Sequence, residues 1–141
     1  MWYKVYLLAF LTATVLSLIL TFFAGWVAKK IGILDIPSSR KVHSQPIPLL
    51  GGIGIYLSFV LTITAGLLIV KYGLLPESMH VYIPGIQSTF KKLSAIFIGG
   101  FIVICFGLID DIKGIKPLQK LCLQIIAAII LFAEGIRISF F

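Results

Sequence analysis

Four apolar segments, each about as long as a bilayer is thick, constrain the fold of this chain more than any other feature. They are residues 5–28, 51–70, 93–109 and 118–134. A transmembrane helix needs about 20 apolar residues, and only the fourth segment contains charged ones, Lys120 and Glu134 near its ends. With 60% hydrophobic and 12% charged residues among 141, the chain has too few polar side chains to coat a soluble fold. The sequence predicts an all-α, polytopic membrane protein with about four transmembrane helices.

The order of the spans assigns the polar loops to two sides of the membrane. The second and third spans separate the loops at 29–50 and 110–117, so these inner loops face one compartment and the loop at 71–92 faces the other. Basic residues on the first side are Lys29, Lys30, Arg40, Lys41, Lys113, Lys116 and Lys120, against Lys4, Lys71, Lys91, Lys92 and Arg137 on the second. Because basic residues favour cytoplasmic loops, we expect the inner loops in the cytoplasm, the N-terminus outside, and location in the plasma (inner) membrane.

The net charge of +7 is spread among the apolar spans. Nucleic-acid binders gather basic residues on one face or interleave them with aromatic ones, and no such pattern is present. We therefore expect no nucleic-acid partner, and attribute the charge to contact with membrane-lipid headgroups and phosphate.

Asp110 and Asp111 need a partner, because they directly follow the apolar residues 95–109. A carboxylate beside hydrocarbon is costly unless it meets water, a counter-charge or a metal, and two adjacent carboxylates repel each other. One interpretation is a Mg²⁺ site that also binds substrate phosphates. Another is a general base, with Lys113 or Lys120 tuning it or binding phosphate. The plainer alternative is an interfacial pair neutralised by these lysines.

The first inner loop supplies groups that bind phosphate. Arg40, Lys41 and His43 lie within four positions, and arginine grips a phosphate through two parallel hydrogen bonds while lysine adds a point charge. Gly51 and Gly52 open the second span, where a helix N-terminus offers free N–H groups and glycine admits a ligand close to the backbone. The alternative is a basic inner loop followed by glycines that let helices pack tightly.

Together the two inner loops resemble a known family. The first block reads D-x-P-x-x-R-K-x-H-x-x-P-x-P-x-x-G-G from Asp35 to Gly52, and the second reads G-x-I-D-D-x-K from Gly107 to Lys113. Further matching residues follow: Pro117, Lys120, Leu121 and Gln124. In their order and their separation by two spans, these blocks resemble the polyprenyl-phosphate N-acetylhexosamine-1-phosphate transferases. Those membrane enzymes begin the synthesis of cell-envelope glycans on a lipid carrier.

The resemblance implies a reaction and its partners. A polyprenyl phosphate would attack the sugar-linked phosphate of a UDP-N-acetylhexosamine, UMP would leave, and Mg²⁺ would offset charge on the diphosphate. The implied roles are catalysis for Asp110, Asp111, Lys113 and Lys120, metal binding for Asp110 and Asp111, and substrate binding for Arg40, Lys41, His43, Gly51 and Gly52. Which aspartate is base and which is metal ligand is left open.

Two features of the chain can be compared with that family: its motif, which differs between branches, and its length. Its R-K-V-H block is similar to the enzymes that use UDP-GlcNAc, whereas phospho-MurNAc-pentapeptide transferases usually read P-T-M-G-G where this chain has P-L-L-G-G. The peptidoglycan enzyme is therefore the second choice. Family members are commonly much longer, so we expect this chain to be the N-terminal part of a larger bundle, truncated and inactive alone. A small membrane protein that binds anionic lipid without catalysis is the alternative of another class, and homo-oligomerisation is left open.

Overall fold

The computed structural model describes residues 2–37, 44–74 and 83–136, which form four helices and one short pair of strands. The helices are α1 (Trp2–Ile31), α2 (Gly51–Lys71), α3 (Ile83–Lys113) and α4 (Pro117–Ala133). The strands β1 (Leu34–Asp35) and β2 (Ile47–Pro48) pair antiparallel between α1 and α2. The prediction of an all-α membrane fold is confirmed, and the strand pair is a local addition to it.

Three of the helices, α1, α2 and α3, are long and apolar enough to cross a membrane, and the 17-residue α4 is apolar but shorter. Their apolar side chains face mostly outward: only 6% to 11% of each spanning stretch is buried inside the molecule. Exposed apolar surface on this scale suits a lipid environment, in which hydrocarbon chains cover it.

The helix α3 is longer than its apolar stretch and extends into both of the segments that flank the predicted span. It begins at Ile83, within the expected loop 71–92, and continues through both aspartates to Lys113, within the expected loop 110–117. Hydropathy marks where hydrocarbon ends, whereas a helix ends where its hydrogen-bond ladder is broken. That break comes at Gly114, whose φ of +65° is left-handed and terminates a helix without strain for glycine.

Small residues hold α1 and α2 together. A Cβ atom built on Gly54 would lie only 2.7 Å from the Cα of Thr21, so the two backbones touch. Ala24 and Ala28 of α1 are buried in one cluster with Leu50, which precedes α2. Because α1 approaches its end where α2 begins, the two helices are antiparallel.

The helix α3 packs against α2 on one side and α4 on the other. The Tyr56 hydroxyl of α2 donates a 2.6 Å hydrogen bond to the Phe97 carbonyl, and its ring covers Gly100. On the α4 side, Leu131 lies over Gly99. The four helices therefore run alternately up and down, and the end of α1, the start of α2, the end of α3 and the start of α4 share one end of the bundle.

Candidate active site at one end of the bundle

Packing brings the last turn of α3 to the first inner loop. Leu108, two residues before the aspartate pair, packs against the cluster of Ala24, Ala28 and Leu50. The aspartates and the start of α2 therefore lie at the same end of the molecule. The expectation from the crossing count, that the two inner loops share a side, agrees with this geometry. Which compartment that side faces stays a prediction.

Asp110 is the centre of the turn between α3 and α4. Its carbonyl accepts the N–H of Gly114 at 2.7 Å, and its carboxylate Oδ1 accepts the N–H of Ile115 at 3.0 Å. The other carboxylate oxygen, Oδ2, lies 2.5 Å from the Nζ of Lys120. Side-chain exposures of 23% for Asp110 and 45% for Lys120 place this ion pair within reach of water. One residue thus holds both the helix end and the basic side chain across the turn.

The start of α4 completes the same turn. Lys116 is the N-cap with extended backbone, and Pro117 occupies the first helical turn, where its missing N–H costs nothing. The Gln119 side chain folds back so that its Oε1 accepts the Lys116 N–H at 3.1 Å. The roles of Gly114, Ile115 and Gln119 were not identified from the sequence. Gly114 followed three residues later by Pro117 is nevertheless a sequence signal for the end of a helix.

Asp111 has different surroundings from its neighbour. It lines a cavity of about 560 Å³ between α2, α3 and α4, together with Leu49, which precedes α2, and Gly52 from the first turn of α2. The other described residues in the lining are apolar or glycine, so Asp111 is the one charged group among them. Within the part of the chain that the structure describes, its carboxylate has no ion pair or hydrogen bond, and it is exposed.

The remaining predicted site residues divide into three groups. Lys113 is exposed on the last turn of α3 and has no ion pair among the described residues. Gly52 faces the cavity, and a Cβ atom there would meet Ile104 at 3.2 Å; Gly51 is next to it at the start of α2. The basic trio Arg40, Lys41 and His43 lies outside the described residues.

The strands position the chain on either side of that basic segment. Leu34 pairs with Pro48 and Asp35 with Ile47, so the two flanks of residues 38–43 meet at the end of the bundle where α2 begins. Close helix packing through glycine is seen one turn further along α2, at Gly54, where a built Cβ atom would lie 2.7 Å from the Cα of Thr21 on α1.

Among the described residues, this end of the bundle offers few ligands for a Mg²⁺ ion. Across residues 2–37, 44–74 and 83–136, no three His, Cys, Asp or Glu side chains group as metal ligands. Mg²⁺ is often bound by one or two carboxylates plus substrate phosphates and water. Asp111 would supply one such carboxylate, whereas each carboxylate oxygen of Asp110 already has one partner.

Fold and site together define a polytopic membrane protein with acidic and basic groups at one end of its helices. No family model matches the chain, and no solved structure matches it. Several curated proteins match the chain in sequence. A probable undecaprenyl-phosphate N-acetylglucosaminyl 1-phosphate transferase of Bacillus subtilis is 30% identical over 133 residues, which are 94% of this chain and 32% of that protein.

Two further relatives carry related names. A decaprenyl-phosphate N-acetylglucosaminephosphotransferase of Mycolicibacterium smegmatis is 34% identical over 125 residues, 86% of this chain and 28% of that protein. An undecaprenyl-phosphate alpha-N-acetylglucosaminyl 1-phosphate transferase of Escherichia coli is 40% identical over 65 residues, 46% of this chain and 17% of that protein. The chain belongs to the polyprenyl-phosphate N-acetylhexosamine-1-phosphate transferase family. It spans about a third of the length of the first two relatives.

Proposed function

We propose that this chain is the part of a phosphoglycosyl transferase that carries the aspartate pair, acting on UDP-GlcNAc and a polyprenyl phosphate. An oxygen of the lipid phosphate attacks the phosphorus that bears the sugar. The bond between that phosphorus and the bridging oxygen breaks, and UMP leaves with the electron pair. The product is a polyprenyl-diphosphate sugar. The names of the relatives favour GlcNAc as the sugar, whereas a UDP donor follows from the family resemblance alone.

The observation that carries this proposal is the meeting of the two sequence blocks at one cavity. Asp111 from the second block and Gly52 from the first line it together, although 58 intervening residues separate them. A reaction between a phosphate and a diphosphate needs cationic groups around the developing charge. Lys120, Lys113 and the predicted trio of the first loop supply these, and Mg²⁺ held by Asp111 together with substrate phosphates would supply more when bound.

The residues of this chain have distinct proposed roles. Lys120, held by Asp110 and still partly exposed, presents an ammonium group to a phosphate. Lys113, on the last turn of α3, adds a second positive charge. The start of α2 gives the substrate access to backbone N–H groups at Gly51 and Gly52. The described residues that line the cavity with Asp111 are apolar or glycine.

The test is a sided transfer assay on the complete reading frame that contains this chain. Sealed inside-out vesicles with polyprenyl phosphate and Mg²⁺ should release UMP from added UDP-GlcNAc, because the site is proposed to face the cytoplasm. Right-side-out vesicles should release none until they are opened. These 141 residues alone should give no transfer, since the relatives are about three times as long.

Three results would contradict this proposal. No UMP release by opened vesicles with any UDP-hexosamine would remove the enzymatic function and favour a lipid-binding role. Release with UDP-MurNAc-pentapeptide alone would move the protein to the peptidoglycan branch. Equal release from both sealed orientations would remove the assignment of the active face.

A further inference from the structure

The last turns of α1 carry an aromatic and basic surface that has no part in the candidate active site. This surface, the Trp26 face, consists of exposed side chains: Phe22, Phe23, Trp26, Lys29 and Lys30. Successive residues of a helix point about 100° apart. Trp26 and Lys30 therefore lie on the side of α1 opposite Ala24 and Ala28, which are buried beside the start of α2. The Trp26 face is turned away from the other helices.

Lys30 is held beside the Trp26 ring. Its Nζ lies 5.2 Å from the ring centroid, and the Phe23 ring stacks on Trp26 with 5.7 Å between centroids. Because helix side chains lean toward the N-terminus, the Lys30 ammonium reaches back one turn toward the apolar part of α1. Among the described residues, no carboxylate forms an ion pair with Lys29 or Lys30. Positive charge at this depth gains from an anion outside the described chain.

The aromatic rings at the two ends of α1 mark the level of the lipid headgroups. Tryptophan and tyrosine prefer the membrane–water interface. Tyr6 stacks with Trp2 near the start of α1, and Trp26 lies near its end. The helix rises about 30 Å from position 6 to position 26, which equals the thickness of the hydrocarbon core. The ammonium groups of Lys29 and Lys30 therefore lie where lipid phosphates lie.

We propose that the Trp26 face binds an anionic phospholipid. The lipid phosphate lies between the ammonium groups of Lys29 and Lys30, and the acyl chains lie on the rings of Phe22, Phe23 and Trp26. Charge complementarity selects this occupant: a zwitterionic lipid offers the same chains but carries its own cation, so it gains less from two lysines. The inference goes beyond the proposed function and does not depend on it.

The tryptophans of the chain provide the test. There are two, so Trp2→Phe leaves Trp26 as the one fluorescent indole. The 141-residue chain with this substitution is placed in phosphatidylcholine vesicles, and part of the lipid is replaced by phosphatidylglycerol with brominated chains, which quench an adjacent indole. Brominated phosphatidylcholine at the same mole fraction is the reference. The binding constant from quenching should favour phosphatidylglycerol about tenfold, since two lysines contribute.

Substitution of the lysines should remove this preference. Lys30→Gln should lower it about fivefold, because one basic residue near an anionic surface contributes about that factor. Lys30→Arg keeps the charge and the contact with the indole, so the preference should stay within about twofold. Lys29→Gln with Lys30→Gln should bind the two lipids about equally. The matched control is Lys91→Gln with Lys92→Gln, an exposed adjacent pair toward the other end of the bundle, which should keep the preference.

Four results would overturn the proposal. Equal quenching by the two lipids before any lysine is substituted would remove the selectivity. An equal loss in the Lys91 and Lys92 control would reduce the effect to net charge. Quenching by neither lipid would show that a second copy of the chain covers the Trp26 face. Displacement of brominated phosphatidylglycerol by polyprenyl phosphate, but not by unbrominated phosphatidylglycerol, would assign the face to the lipid substrate of the proposed reaction. A failure of the transfer assay would remove the proposed function and leave these results unchanged.

Discussion

The two helix pairs of this molecule are joined by opposite means. In the first pair, α1 and α2 touch through their backbones at Thr21 and Gly54, and the buried residues beside them are alanines. In the second pair, α3 and α4 are joined by a polar turn built on Asp110 and Lys120.

The difference follows from the surroundings of each contact. Inside a bilayer, lipid chains are as apolar as the side chains they cover, so helices gain most from close approach through small residues. At the end of the bundle water competes for polar groups, and a turn is held by several directed hydrogen bonds with one exposed ion pair. The contact of α2 with α3 combines both: the ring of Tyr56 lies on Gly100, and its hydroxyl bonds to a backbone carbonyl.

The largest effect is expected from filling the closest contact of the first pair. Gly54→Ala places a Cβ atom 2.7 Å from the Cα of Thr21, a distance that requires one helix backbone to move. Overpacking of this kind costs about 1–3 kcal/mol, and the helix propensity of alanine returns about 1 kcal/mol at most. We expect the free energy of unfolding in detergent–SDS mixtures to fall by about 2 kcal/mol.

Gly66→Ala is the control on the same helix. No atom lies within 4 Å of a Cβ atom built there, so only helix propensity changes. Its free energy of unfolding should stay level or rise by up to about 1 kcal/mol. Equal losses at Gly54 and Gly66 would show that the contact with α1 is not what makes Gly54 necessary.

An intermediate loss of stability is expected at the polar turn, when Gly114, the residue that follows the last residue of α3, is substituted. Gly114→Ala forces a side chain onto a backbone with φ of +65°, which costs about 1–2 kcal/mol. Gly107→Ala, inside α3 and with open space around a built Cβ atom, should cost nothing in comparison. Urea or SDS unfolding of the two variants side by side gives the measurement. A Gly114 variant as stable as the Gly107 variant would place the end of α3 elsewhere.

The helices were predictable because length and hydropathy determine them. Spans at 5–28, 51–70 and 93–109 each lie inside an observed helix, and counting crossings placed the two polar blocks at one end. The ends of α3 were missed because charged residues interrupt hydropathy without interrupting a helix. Gly114 signals the actual end, so a capping argument finds what hydropathy does not.

A contact between the aspartate pair and a nearby lysine was predictable from the sequence, whereas the identity of the two partners was not. A short connection between antiparallel helices brings a residue near the end of α3 close to one on the first turn of α4, and Lys120 was a candidate partner from the start. Which aspartate meets it depends on the rotation of α3 about its axis, which is set by Leu108 and Tyr56 against their neighbours. The roles of Arg40, Lys41 and His43 remain predictions, as these residues lie outside the described part of the chain.

The smallest effect is expected where the two modes of contact combine. Tyr56→Phe keeps the ring on Gly100 and removes the 2.6 Å hydrogen bond to the Phe97 carbonyl. Hydrogen bonds between membrane helices average about 0.6 kcal/mol, because the separated helices find other partners. Tyr72→Phe, at the exposed end of α2, is the matched control and should change the free energy of unfolding by less than that. If both variants match the unsubstituted chain, apolar contact alone joins α2 to α3, and the polar mode is confined to the end of the bundle.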